Sequence, residues 1–254
     1  MEMMPPSLDF PAALVTHTGL LVDTAAALPF DAPVESCPGW SVVKLMRHLG
    51  TIQRWAQALV EAQRPERIDP RTLNLDLPSD DAGYASWLVQ GAAALASMLR
   101  AANPNAPAWA WGADQHVRFW ARRVAHESAV HAADVALAAN QAPAIQAELA
   151  VDGISEFLEN LPSRATFAPA VKELRGAGES LHLHCTDTEG EWLIRLEADG
   201  VHWEPGHAKA TTAVRAAAAD LELLLYRRLP PTDARFQSFG DPALLDRWLS
   251  LTSF

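Results

Sequence analysis

The sequence predicts a two-domain α+β protein, with a four-helix bundle over residues 1–143 and a small α+β domain over residues 144–254. Apolar side chains recur at helical spacing through the first half, whereas alternation with a period of two begins near residue 181. Ala142-Pro143 lies between the two patterns and marks the boundary. Long amphipathic helices joined by long connections are typical of a bundle.

The helices of the first half begin and end at recognisable residues. The first predicted helix covers residues 9–28, and Pro29 ends it. Ser41 is the predicted N-cap of a second helix that runs to about Gln63. A polar loop and two further helices are predicted over residues 64–81, 82–102 and 116–140.

The second half mixes helices and strands. A hairpin is predicted from the alternating segments 181–187 and 191–197, which a Thr-Glu-Gly turn joins. His182 and His184 lie on one face of its first strand, where their spacing permits a metal pair but a row facing solvent is the expected arrangement. The remaining strands are predicted over 201–203, 210–215 and 235–239 (an edge strand), and the helices over 145–161, 216–228 and 242–251.

Composition excludes several classes of protein. A net charge of −11 argues against nucleic acid as a partner, because proteins that bind it usually carry a basic patch. No apolar run reaches the length of a membrane span, and the start of the chain lacks the features of a signal peptide. Cys37 and Cys185 stand alone, which indicates neither a disulfide framework nor a cysteine zinc site and predicts a cytoplasmic protein.

A metal site is predicted on facing helices of the bundle. Glu127 and His131 lie four residues apart in a stretch without Gly or Pro, so they share one helix face. His48 belongs to the apolar stripe of the second helix and is predicted to face the core. A buried carboxylate is costly without a partner, and a shared metal ion would remove that cost. Two imidazoles and one carboxylate leave coordination positions open, which is typical of a catalytic site.

The same residues also have ordinary interpretations. His48 would then be a core histidine with a satisfied hydrogen bond, and the Glu/His pair a solvated helix face. Zinc is the metal expected first, with Ni, Co, Mn and Fe(II) as alternatives. Asp134 is either an acceptor that orients a ligand or a solvated charge near the helix end. Three aromatic residues are predicted either to line an entrance or to pack within the bundle: Trp109, Trp111 and Trp120.

Two segments resemble a known family. Residues 37–50, CPGWSVVKLMRHLG, are similar to the CPGW(T/S)V…L..HL signature of mycothiol-dependent maleylpyruvate isomerases, and residues 125–134, AHESAVHAAD, are similar to their HE(T)xxHxxD segment. The resemblance implies a DinB-like metal-binding four-helix bundle followed by a sterol-carrier-like α+β domain. It implies the same three metal ligands, His48, Glu127 and His131.

The resemblance also implies an activity. The chain is expected to use a divalent metal, zinc first, and mycothiol as cosubstrate to isomerise or S-conjugate a small electrophile. The alternative is a non-catalytic module of the same fold that binds a metal or a small ligand. Arg227 and Arg228 either complement a helix dipole or, as the resemblance implies for one arginine of the second domain, bind a carboxylate of the substrate or thiol. The expected partners are small molecules, and the expected state is a monomer or a homodimer.

Overall fold

The computed structural model describes residues 8–252, which form two compact units. One unit ends at Ala144 and the other begins at Ile145. The predicted fold class is confirmed, because helices alone build the first unit and helices with a mixed sheet build the second. The prediction that the start of the chain is no signal peptide falls partly on residues 1–7, which lie outside this range.

Four long helices build the first unit: α1 (Phe10–Ala25), α2 (Val42–Ala62), α3 (Gly83–Ala101) and α4 (Val117–Ala138). Asp9 caps α1, since its carboxylate accepts a hydrogen bond from the Ala12 amide at 2.9 Å. This helix ends three residues earlier than predicted, because Leu28 precedes Pro29 and a residue before proline is disfavoured in a helix. Ser41 is the N-cap of α2, as predicted, although its side chain makes no capping hydrogen bond.

The four helices pack as a bundle. Helix α1 lies against α3 and α4, and α2 lies against the same two helices. The interior contains fully buried leucines such as Leu45 and Leu88, together with Trp120. Trp120 contacts Trp55 edge-to-face, and Trp109 packs against the same ring, so these aromatic residues stabilise the bundle. Of the two roles predicted for them, packing is the one that the structure shows.

The second unit is built from five strands and three helices: α5 (Ala147–Arg164), β1 (Glu179–Cys185), β2 (Glu191–Glu197), β3 (Gly200–Pro205), β4 (Thr212–Ala216), α6 (Ala218–Leu225), β5 (Gln237–Gly240) and, after the last strand, α7 (Pro242–Leu251). The strand order is β3-β2-β1-β4-β5. Strands β1 and β4 are parallel, and the other neighbours are antiparallel. The predicted hairpin and the predicted edge strand are both confirmed.

Two predictions for this unit were wrong in detail. Helix α6 is shorter than the predicted 216–228, because β4 extends to Ala216 and Arg227 adopts a left-handed backbone conformation with φ 59°. The two histidines of β1 do not form a row facing solvent, because His182 is 4% exposed. The sheet therefore buries polar side chains on the face opposite Leu181 and Leu183.

Two further observations concern the whole described chain. Among residues 8–252, no helix combines the length and the apolar character that a membrane span needs. Cys37 and Cys185 are both buried, and neither forms a disulfide among these residues.

Candidate metal centre

The predicted ligands meet between α2 and α4. His48 comes from α2, and α4 presents Glu127 and His131 one turn apart. Both imidazoles point an Nε2 atom at the same carboxylate oxygen: Glu127 Oε1 lies 3.2 Å from His48 and 3.3 Å from His131. The structure thus brings together three side chains from positions 48 to 131 of the chain.

The spacing of these atoms suits a divalent metal ion. In a tetrahedral site with bonds of about 2.0–2.1 Å to nitrogen and oxygen, neighbouring ligand atoms lie about 3.3–3.4 Å apart. The two distances from Glu127 match that separation, and the ligand atoms of all three residues lie within 4.8 Å of one another. The side chain of His48 is 33% exposed, so it lies at the rim of the group rather than in the core as predicted. One edge of the group is therefore in contact with solvent.

Arg123 controls the charge of Glu127. One turn earlier on α4, its guanidinium lies 2.9 Å from Glu127 Oε2. Burial by itself would raise the pKa of Glu127, but the charge of Arg123 and hydrogen bonds from His131 and His48 outweigh it and hold the pKa well below its usual range. Glu127 is therefore ionised and has Oε1 available for a metal ion.

Asp134 fixes the orientation of His131. Its Oδ2 lies 2.8 Å from Nδ1 of the imidazole, and an ionised carboxylate only accepts, so Nδ1 carries a proton and donates it. Burial lowers the pKa of His131, yet hydrogen bonds with Asp134, Cys37 and Glu127 outweigh it and raise the pKa well above its ordinary value. Nε2, the other ring nitrogen, faces Glu127.

The turn that precedes α2 completes this arrangement. Ser36 donates to Asp134 Oδ1 at 2.6 Å, and the Cys37 thiol donates to Oδ2 at 3.2 Å. Gly39 has φ 83°, a conformation that glycine adopts without strain. The next residue, Trp40, lies with its ring 4.7 Å from that of His48 and stacks 6.1 Å from His131. This turn therefore contacts both imidazoles through Trp40 and holds Asp134 through Ser36 and Cys37.

Sequence reasoning missed several of these neighbours. Arg123 precedes Glu127 by four residues, so helical spacing could have identified the pair. Ser36 and Cys37 reach Asp134 across 98 and 97 positions, a separation that carries no local signal. The Cys37 thiol donates to Asp134 and also makes a hydrogen bond with His131, so it contacts one of the three predicted ligands directly.

The predicted arginines lie in the second unit. Arg227 is exposed and follows the end of α6. Arg228 donates to the Tyr226 carbonyl at 2.7 Å, and its guanidinium lies 5.8 Å from the centre of that ring. A role for either residue in binding a substrate stays a prediction.

Comparison with family models decides the relationship. The model of the mycothiol maleylpyruvate isomerase N-terminal domain matches residues 12–136, and the model of the C-terminal domain of the same family matches residues 148–247. The chain belongs to the mycothiol maleylpyruvate isomerase family. His48, Glu127 and His131 all lie in the part that the N-terminal family model matches.

Solved structures agree with the family's fold. The crystal structure of the mycothiol-dependent maleylpyruvate isomerase is 14% identical, covers 90% of this chain and 91% of its own, and has a TM-score of 0.56. A histidine-to-alanine mutant of the isomerase gives the same identity and coverage with a TM-score of 0.55. A UbiJ-SCP2 ubiquinone synthesis protein covers 43% of this chain and 93% of its own at 18% identity, with a TM-score of only 0.32, so the sterol-carrier likeness of the second unit stays a prediction. No curated protein sequence matches the chain significantly.

Proposed function

We propose that this chain is a metal-dependent enzyme that uses a low-molecular-weight thiol, mycothiol, to isomerise or S-conjugate a small electrophile. The observation that carries the proposal is the convergence of two imidazole nitrogens, from His48 and His131, on one oxygen of Glu127. Family membership supports it, because the family is described by an isomerase that depends on mycothiol.

The three residues would hold zinc. Imidazole and carboxylate ligands suit this ion, and three protein ligands leave a position open. When bound, zinc supplies a Lewis acid that lowers the pKa of a nearby thiol, so that the thiolate forms at neutral pH. The two cysteines of the chain are not needed as nucleophiles, since both are buried.

The surrounding side chains prepare the three ligands. Arg123 keeps Glu127 ionised and occupies its second oxygen. Asp134 holds the proton of His131 at Nδ1, so the proton at Nε2 leaves when a metal binds there. The Trp40 ring packs against both imidazoles and helps to hold them in place.

The chemistry of the thiolate depends on the electrophile. With a cis-ene-dioic acid, the thiolate sulfur adds to one alkene carbon, and the π electron pair moves to the other carbon as a carbanion that the adjacent carbonyl group delocalises. The former double bond is now single, and the same electron pair re-forms it when the thiolate leaves. Rotation about that bond and departure of the thiolate give the trans isomer, and the thiol is regenerated. With an epoxide or a halide, the carbon–oxygen or carbon–halogen bond breaks as the carbon–sulfur bond forms, and a thioether is the product. The enzyme is an isomerase in the first case and an S-transferase in the second.

Thiol-dependent turnover tests the proposal. Zinc-loaded protein is assayed with mycothiol and with cis-ene-dioic and epoxide substrates, beside the variants His48→Ala and His131→Ala. We expect turnover in the wild-type protein, loss in both variants, and wild-type turnover in the control His116→Ala, which removes a partly exposed imidazole from the start of α4. A His48→Ala protein that binds no metal and is fully active would refute the proposed site. Zinc binding without turnover on any of these substrates would favour the non-catalytic module.

A further inference from the structure

A second group of metal-ligating side chains lies in the C-terminal unit. His182 and His184 on β1, Glu191 at the start of β2 and His207 two residues after β3 converge on the Glu191 carboxylate. The nitrogen–oxygen distances are 3.1 Å from His182, 2.7 Å from His184 and 2.8 Å from His207. Three imidazoles thus surround one carboxylate.

The strand register explains this convergence. His184 is paired directly with Glu191 across the β1–β2 hairpin, and His182 lies two residues back on the same strand face. Gly206 follows β3 with φ 126°, which favours glycine, and its amide donates to the Glu191 carbonyl at 3.0 Å. This turn places His207 over the carboxylate from the third strand. Residues that are up to 25 positions apart therefore share one site because of the sheet topology.

We propose that these four side chains bind a second divalent transition-metal ion, with zinc as the ion that they suit best. One ligand atom from each residue lies within 4.8 Å of the others. His182 and His207 contact Glu191 Oε2, whereas His184 contacts Oε1. In a tetrahedral zinc site, neighbouring ligand atoms are about 3.3–3.4 Å apart, so the side chains need to separate by less than about 1 Å to admit the ion. Each imidazole would then carry its proton on the nitrogen that faces away from the ion.

The geometry also indicates what kind of site this is. Four protein ligands complete a tetrahedral zinc site, so this ion would have no open coordination position. The proposed site in the bundle differs, because it has only three protein ligands. His207 gives the ion access, because its side chain is 76% exposed beside a surface depression of about 580 Å³. The bound ion would join β1, β2 and the segment that follows β3. Strand β3 lies at an edge of the sheet, so the ion would tie this edge to its neighbours. Since the folded state alone offers this arrangement, zinc is expected to stabilise the C-terminal unit.

Zinc stoichiometry of the full chain tests the second site. The wild-type protein and the double variant His184→Ala/His207→Ala are dialysed against buffered micromolar zinc, and bound metal is counted by elemental mass spectrometry. We expect the double variant to hold one equivalent less than wild type. Because the test is a difference, its result does not depend on whether the bundle also binds a metal.

A matched control separates a defined site from general binding by surface histidines. His202→Ala removes an exposed imidazole from β3 that pairs with Asp199 outside the group. This variant is expected to keep the wild-type stoichiometry. Far-UV circular dichroism checks that each variant is folded, and a zinc-induced rise in the thermal midpoint of wild type, absent from His184→Ala/His207→Ala, is the second readout. Equal stoichiometry in the wild type and the folded double variant, or an equal loss of zinc in His202→Ala, would overturn the proposal. Should the double variant not fold, the single variant His207→Ala, at the exposed ligand, takes its place. Three ligands remain in it, so we expect it to bind the second zinc more weakly than wild type in competition with a chromophoric chelator, and an unchanged affinity would overturn the proposal.

Discussion

Asp134 Oδ2 accepts a hydrogen bond from His131 Nδ1 at 2.8 Å, at the opposite end of the imidazole from Glu127. The carboxylate is completely buried and is also held by Ser36 and Cys37. A buried carboxylate in this position fixes the ring and strengthens the ligand nitrogen. The turn before α2 therefore acts on the ligand group through Asp134.

The substitution Asp134→Asn is expected to weaken zinc binding by about 10–100-fold, which is the usual cost of removing such an outer partner. The amide keeps the shape of the side chain but removes the charge that orients His131. Competition with a chromophoric zinc chelator measures the affinity. The matched control is Asp114→Asn, which breaks a similar Asp–His contact with His116 at the surface. Equal affinities in the two variants would contradict the assigned role of Asp134.

Arg123→Met is expected to destabilise the apo protein by about 2–3 kcal/mol, because it leaves Oε2 of the ionised Glu127 without the guanidinium beside it. The Arg123 side chain is only 5% exposed, so water does not replace its guanidinium easily. Urea unfolding measures the change, and Arg123→Lys is expected to recover part of the stability since it restores the charge. A loss of stability that is the same for both variants would indicate lost packing instead of lost charge.

His17 is expected to make the stability of the bundle depend on pH. Burial, and then the nearby His126, lower the pKa of His17 to about 4, below its ordinary value of 6.5. Between pH 6.5 and 4 the unfolded chain binds a proton at this residue that the folded chain does not, so stability falls as the pH is lowered. The full shift corresponds to at most about 3 kcal/mol.

Urea unfolding at pH 7, 6, 5 and 4.5 measures this dependence on apo protein. We expect His17→Leu to have a flatter profile than wild type, and the exposed His202→Ala to serve as a control with the wild-type slope. An unchanged slope in His17→Leu would show that another group titrates.

Substitutions of Arg227 and Arg228, the two arginines after α6, are expected to have different effects on KM and on thermal stability. Arg227 is exposed, whereas Arg228 is engaged with the carbonyl and ring of Tyr226. We expect Arg227→Gln to raise KM for a dicarboxylic electrophile about tenfold or more, because a charge-assisted hydrogen bond to a carboxylate is lost. Arg228→Gln is expected to lower the thermal midpoint with a smaller effect on KM. Steady-state kinetics measures KM for the electrophile in both variants. Unchanged KM values in both would exclude Arg227 and Arg228 from substrate binding.

Helical periodicity predicted which side chains share a helix face in the bundle. It predicted that Glu127 and His131 share a face, and the structure places them one turn apart with Nε2 of His131 at Glu127 Oε1. It was less accurate for His48, which belongs to an apolar stripe but lies at the rim, because a stripe gives the direction of a side chain and not how deeply it is buried.

Contacts between distant segments could not be predicted. The Ser36 and Cys37 contacts with Asp134 depend on how the turn before α2 folds against α4. Likewise, alternation along β1 identified a strand but not its parallel neighbour β4, nor the turn that carries His207 onto Glu191. A period of two assigns faces, whereas sheet order depends on packing between segments far apart in the chain.

The most direct test of the account is the metal content of the purified full chain after incubation with zinc, beside the double variant His48→Ala/His131→Ala. Elemental mass spectrometry counts the metal in both proteins. The account predicts that the folded variant holds one equivalent less than wild type, with the zinc of the second unit unchanged. Equal metal content in the two proteins would contradict it, because His48, Glu127 and His131 would then be a hydrogen-bonded group that binds no metal.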